Sequence, residues 1–214
     1  AAGEILHDAY SNPEDPSEIL SDAERRIFSI AQQSEQRHAE KLDELLHMAI
    51  EQLEANDGRM ITGVATGYPH LDEITSGLQK GEMIVVAARP SMGKTALALN
   101  IAENIVMRGT PVALFSLEMS RQQLVQRLLS ARASVSGHDI RRNMLSDRDM
   151  EAIIQATNDL MGKPLFIDDT PSLTITQLRA KARRLKQSEE ISVIFIDDLQ
   201  LMTSGSSVES GQQE

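Results

Sequence analysis

Residues 83–102 read MIVVAARPSMGKTALALNIA, and the fold turns on how this stretch is taken. Its first six residues, 83–88, form an apolar run without alternation, the pattern of a strand buried on both faces of a parallel sheet. From Thr95 onward Leu97, Ile101 and Ile105 recur at helical spacing, which predicts a helix over about 95–108. Gly93-Lys94-Thr95 lies between the two, so a strand, a loop and a helix follow one another as a phosphate-binding loop requires. Backbone N–H groups wrapped around a phosphate and backed by a helix N-terminus make an anion site. The candidate cradle is Ala88, Arg89, Pro90, Ser91, Met92, Gly93, Lys94, Thr95 and Ala96. Lys94 would set its ammonium between the terminal phosphates of a nucleotide, and Thr95 would offer its hydroxyl to Mg2+. Gly93 avoids both a Cβ against phosphate and an unfavourable backbone angle. Ala88 stands where GxxxxGKT has its first glycine, and alanine serves there if its φ stays negative. Pro90 fixes φ nearby and stiffens the loop. The plainer alternative is an ordinary strand–helix connection with a chance Gly-Lys-Thr.

Outward from this stretch, PVALFSL (111–117), LFIDD (165–169) and VIFIDD (193–198) repeat the buried-strand pattern. Helical patterns over about 121–134, 147–161 and 175–187 separate them. Strands alternating with helices give an α/β layered domain with a largely parallel sheet. In such sheets ligands bind beyond the carboxyl ends of the strands, so acids at those ends are candidates for the same crevice. Asp197 follows one strand, where a carboxylate can hold Mg2+ through its water shell. Asp168 and Asp169 follow another and read better as a strand end capping the next loop. Glu118 follows the third. It can orient and deprotonate an attacking water, or equally serve as an acid favoured by the dipole of the following helix.

The basic run Arg179, Lys181, Arg183, Arg184 and Lys186 shares a helix with an inner face of Leu178, Ala182 and Leu185. It reads as a solvated face, with phosphate or DNA contact the lesser alternative. The histidines show no metal-ligand spacing, and no aromatic-rich basic patch offers a stacking platform for single strands. With no cysteine, disulfides, thiolate zinc sites and cysteine nucleophiles are excluded, which fits a cytoplasmic location. No apolar run approaches the ~20 residues of a membrane helix, and the first residues lack the layout of a signal peptide.

Net charge is −11 over 214 residues, and it is unevenly spread. Residues 1–60 carry 14 acidic and 5 basic side chains, whereas residues 61–214 carry 18 and 16. Non-specific nucleic-acid binding needs clustered Lys and Arg, so any such contact must be local or lie elsewhere. Residues 11–18, SNPEDPSE, read as a Pro-rich acidic turn or linker. Ser21 and Glu24 have capping-box spacing and open a predicted amphipathic helix over 21–34. A second helix over about 39–54 carries Leu42, Leu45, Leu46, Ala49 and Leu53 on one stripe. The two stripes have little local material to bury them. They dock either on a core of their own, on the following domain or on another chain. Asn56-Asp57-Gly58 ends the pattern, and 204–214 reads as a polar Gly/Ser-rich loop.

Taken together, TGYPHLDEITSGLQKGEMIVVAARPSMGKTALALNIA, LFSLEMS and IFIDDLQLM closely resemble the ATPase domain of the bacterial replicative DNA helicases, the DnaB family. EILHDAYSNPEDPSEILSDAERRIFSIAQ resembles the end of that family's N-terminal domain and its linker helix, so the resemblance covers the whole chain. It implies three segments: residues 1–18 as the end of the N-terminal domain with a Pro-rich linker, 19–60 as a helical linker, and 61–214 as a partial RecA-like ATPase domain. It also implies a homo-hexameric ring that hydrolyses ATP with Mg2+, encircles single-stranded DNA and translocates 5′ to 3′ in the cytoplasm, with primase and a helicase loader as partners. Lys94 and Thr95 take the phosphate and magnesium roles, Asp197 the second magnesium role, Glu118 the catalytic base, and Gln200 matches a motif glutamine. The resemblance favours 193–198 as the metal strand and the 21–34 helix as one that docks on a neighbouring subunit. Alanine at the place of Ala88 is common in the family. Asp198 departs from the aromatic residue often found after the magnesium aspartate. The family's sensor glutamine, DNA-facing loops and arginine finger find no counterpart in these residues, which implies an internal fragment that does not unwind DNA alone. A non-helicase RecA-type ATPase, such as a recombination mediator or clock-type phosphotransferase, is the rival reading, and a non-catalytic assembly fragment is a third.

Overall fold

In the computed structural model, which describes residues 41–55, 61–89 and 91–202, strands and helices alternate through the larger of two units. The chain divides into residues 1–57 and 58–214. The 11–18 turn, the 21–34 helix, the Asn56-Asp57-Gly58 break, Pro90 and the 204–214 loop lie outside the described residues.

Within the first unit, helix α1 spans Leu42–Ala55, with Asp43 and Glu44 in its first turn, where the helix dipole favours acids. Its predicted stripe is exposed at Leu42, Leu45 and Leu46.

The second unit is built on a parallel sheet of β1 (Val112–Ser116), β2 (Leu165–Asp168) and β3 (Val193–Asp197), in the order β2-β1-β3. Helices α2 (Pro69–Thr75), α3 (Lys94–Met107), α4 (Arg121–Ala133), α5 (Gly137–Arg142), α6 (Asp147–Leu160) and α7 (Ile175–Glu189) connect and cover it, and a 3-10 turn follows at Leu199–Leu201. β1 is the central strand and all five of its residues are buried. Alternate side chains serve opposite faces. Val112 packs with Ile101, Ala102, Ile105 and Val106 of α3, while Leu114 meets Leu99 of α3 and Leu124 and Leu128 of α4. On the other face Ala113 and Phe115 pack with Leu173, Leu178 and Ile191, joined by Ala182 and Leu185 of α7. The inner face expected for α7 is therefore the one it buries.

The helix starts are written in side chains. Ser120 with Gln123, Ser146 with Asp149, and Thr174 with Gln177 form reciprocal capping boxes at α4, α6 and α7. Before α3, Val64 bridges Leu78 in antiparallel sense. The buried Asp72 carboxylate holds the loop closed, accepting from Thr66 N at 2.8 Å, Thr66 Oγ1 at 2.7 Å and Gly67 N at 3.1 Å. Gly63 permits this closure, because a Cβ there would lie 2.4 Å from the Leu78 carbonyl oxygen.

One expectation is corrected. Residues 83–88 do not join the sheet, and Met83, Ile84, Val85 and Val86 are exposed at 82%, 52%, 68% and 51%. An unbroken apolar run signals a tendency toward burial, but a strand also needs an edge whose N–H and C=O groups it can pair. In the order β2-β1-β3 the outer edges of β2 and β3 are open, but residues 83–88 pair with neither and form no ladder among the described residues. The short helices α2 and α5 carried too little periodicity to be expected.

Candidate functional site

The site gathers where α3 begins and β3 ends. Gly93 is the N-cap of α3, with φ +88 and ψ 19 and no side-chain cap, and the first turn holds no acid. Helix N-terminal N–H groups without a capping side chain, together with the helix dipole, favour an anion. Nothing lies within 4 Å of a Cβ built on Gly93, so the positive φ is what calls for glycine here. The loop takes a second positive φ at Ser91, +65, and none at Ala88. Alanine thus meets no backbone penalty at the place where glycine was expected. Ala88, Arg89, Ser91, Met92, Gly93 and Ala96 are placed around this turn, and Lys94 and Thr95 are half-buried behind it.

β3 delivers Asp197 to the same place. This residue is buried, at 4% exposure. Its Oδ2 accepts a hydrogen bond from Thr95 Oγ1 at 2.7 Å, and its Oδ1 lies 3.4 Å from the Lys94 ammonium. Asp198 Oδ2 is closer to Lys94 Nζ, at 2.8 Å. One ammonium thus faces two carboxylates. Hydrogen bonding to Asp198 raises the Lys94 pKa, aided by the charge of Asp197 and opposed by partial burial. The Lys94 hydrogen bond in turn holds the Asp198 carboxyl below the usual range. Asp198 also opens the 3-10 turn, accepting from Gln200 N at 3.4 Å, which sets the exposed Gln200 two residues from the ion pair.

Glu118 follows from the register of the central strand. Ser116 pairs with Asp197, Leu117 N donates to the Asp197 carbonyl at 2.6 Å, and Met119 N donates to Ser116 Oγ at 3.1 Å. The chain turns here, and Glu118 is exposed in that turn beside the carboxyl end of β3.

The other acids face elsewhere. Asp168 Oδ1 accepts from Thr170 N at 2.9 Å and Thr170 Oγ1 at 2.6 Å, and its Oδ2 takes Lys181 Nζ at 2.6 Å. Asp169 accepts from the Arg121 backbone N–H at 2.9 Å and pairs with its guanidinium at 2.9 Å. Both act as strand-end anchors. Lys181 is therefore engaged on its own domain, and Lys186 donates to the Ile191 carbonyl at 3.0 Å. An open polar cleft of about 720 Å3 lies apart from this site. Arg132 within it is shared between Glu103 at 3.3 Å and Asp159 at 2.8 Å.

The Lys94–Asp198 pair was not foreseen. Its signal was the doubled aspartate of residues 197–198, of which only the first was given a role. Among the described residues no cluster of three or more His, Cys, Asp or Glu could hold a metal, and no helix is long and apolar enough to cross a membrane.

With the geometry in view, comparison with known proteins gives a consistent answer. The family described as DnaB-like helicase C terminal domain matches residues 63–214. The chain is 41% identical over its full length to the replicative DNA helicase DnaB of Geobacillus stearothermophilus, covering 48% of that protein. It is 39% identical to the replicative DNA helicase DnaC of Bacillus subtilis, over 98% of this chain and 47% of that one. It thus spans about half the length of these relatives. Among solved structures, an ATPase domain superposes with a TM-score of 0.72 at 31% identity, over 81% of this chain and 62% of that one. A DnaB-like replicative helicase, solved in a study of its interactions with primase, superposes with a TM-score of 0.79 at 28% identity, over 98% of this chain and 48% of that one.

Proposed function

Because this chain belongs to the DnaB-like replicative helicase family, we propose that it carries the nucleotide-hydrolysing half of a replicative DNA helicase. The observation that supports this best is the meeting of Lys94, Thr95 and Asp197 at the uncapped start of α3. These residues fit a Mg2+–nucleotide. The helix N-terminus and Lys94 supply positive charge for a polyphosphate, while the Thr95 hydroxyl and the Asp197 carboxylate supply hard oxygen ligands for a small divalent cation. The bound cation would neutralise charge developing on the transferred phosphoryl group. Glu118 is the general base for the attacking water, and Gln200 sits where it can follow changes at Asp198. Residues 1–18 and 19–60 form the end of an N-terminal domain and a linker, and 61–214 the ATPase segment. The complete protein works in the cytoplasm as a homo-hexamer on single-stranded DNA, moving 5′ to 3′, with primase and a loader as partners.

The test is Lys94→Ala in the complete protein, with ATP turnover and strand unwinding measured side by side. Both fall to background if the loop is the phosphate cradle. Turnover at the wild-type rate would refute the assignment.

A further inference from the structure

We propose that Asp198 is a latch that competes with the phosphates of a bound nucleotide for Lys94. Of the two carboxylates facing this ammonium, Asp198 holds it more closely, at 2.8 Å against 3.4 Å. Asp197 has a separate claim on its charge through Thr95, so it keeps a partner when Lys94 leaves. Among the described residues the Asp198 carboxylate then keeps the 3.4 Å bond from Gln200 N alone, at the start of the 3-10 turn that presents it.

The two latch groups differ from Asp197 in burial too. The Lys94 and Asp198 side chains are 27% and 26% exposed, while that of Asp197 is 6% exposed. A partly exposed pair can open without stranding a buried charge, whereas breaking a buried pair is costly. Lys94 therefore has two alternative anions: the Asp198 carboxylate in the nucleotide-free protein, and a phosphate when nucleotide binds. Binding must first break the 2.8 Å pair, which lowers apparent affinity and returns Lys94 to a fixed position on release. An aromatic residue at this position could not do this, since it has no charge to offer.

The latch rests on the nucleotide reading above, and the test separates the two. The complete protein is titrated with a fluorescent ADP analogue in EDTA, which removes any effect of Asp198 through a divalent cation. Acetylation of Lys94 in the nucleotide-free protein is followed by mass spectrometry. Asp198→Asn should tighten ADP binding about threefold to fivefold, the range of a partly exposed ion pair, and should speed Lys94 acetylation. Asp198→Glu, which keeps the charge, should stay closer to wild type in both. Unchanged or weaker binding by a folded Asp198→Asn protein overturns the latch. So does tighter binding with unchanged acetylation, which would mean simple repulsion between Asp198 and phosphate. If Asp198→Asn does not fold, Asp198→Tyr removes the same charge and is read identically. A wild-type protein that binds no ADP either in EDTA or with Mg2+ restored defeats the nucleotide reading and the latch together, whereas one that binds ADP with no response to Asp198→Asn defeats the latch alone.

Discussion

Thr95 Oγ1 donates to Asp197 Oδ2 at 2.7 Å across 102 residues of sequence. The first turn of α3 and the last residue of β3 are thereby tied at the level of side chains, with no sheet pairing between the segments. Replacing Thr95 by Ala removes this tie and, under the proposed function, an oxygen ligand for Mg2+. The Mg2+ concentration for half-maximal ATP turnover should rise at least about tenfold, while thermal stability changes little. A Thr95→Ser variant keeps the hydroxyl and should retain most of the activity. Equal losses in both variants would show that the methyl group matters and the hydroxyl does not.

Glu118 separates two readings that position alone leaves balanced. As a general base it should cost about 10²- to 10⁴-fold in turnover when changed to Gln, with nucleotide affinity nearly unchanged. As a mere acid near the start of α4, the same change should cost a few tenths of a kcal/mol of stability and leave turnover intact. Single-turnover kinetics alongside an ADP titration distinguishes the cases.

Asp72 makes a pH-dependent contribution to stability. Burial alone would push its carboxyl up, but hydrogen bonds from Thr66 and Gly67, aided by the Arg108 charge, hold it below the usual range. With the folded pKa depressed, the stabilisation is present above the unfolded value of about 3.9 and is lost as pH falls through the folded pKa. Asp72→Ala leaves the Thr66 and Gly67 N–H groups without their acceptor. It should cost about 2–4 kcal/mol at neutral pH. The gap in denaturant midpoint between wild type and variant should narrow as the buffer is taken below about pH 4. A gap that stays constant down to about pH 2 would refute the assignment.

Much of this arrangement was legible because each signal was local. The helical patterns over about 121–134, 147–161 and 175–187 rest on spacings of three and four residues, and the runs at 112–116, 165–168 and 193–197 are apolar enough to read as strands without alternation. Asp197 was legible as a strand-end acid, since its place depends on the strand that carries it. What stayed hidden depends on partners far along the chain. Residues 83–88 have the composition of a strand, but pairing is a property of the edge they meet. Asp198 was visible as a charge, yet only the fold shows that Lys94 lies 2.8 Å away. Lys181 read as part of a solvated basic face, because nothing local ties it to Asp168.

That last pair gives a test of the basic face on α7. Lys181 Nζ lies 2.6 Å from Asp168 Oδ2 and 2.6 Å from Thr170 Oγ1, and the two charged side chains are 35% and 27% exposed. Burial would raise the Asp168 pKa, but the Lys181 and Thr170 hydrogen bonds outweigh it and hold the carboxyl low. An ion pair this open to solvent is worth only about 0.2–1 kcal/mol. A double-mutant cycle of Lys181→Met and Asp168→Asn, followed by chemical denaturation, should return a coupling in that range, shrinking as salt is raised. If Lys181 instead neutralised a DNA phosphate, Lys181→Met would reduce the salt slope of DNA binding by about one. Because the ammonium is held by β2 and the turn after it, that slope should be unchanged in the complete protein. A reduced slope with no coupling to Asp168 would return Lys181 to the nucleic-acid surface.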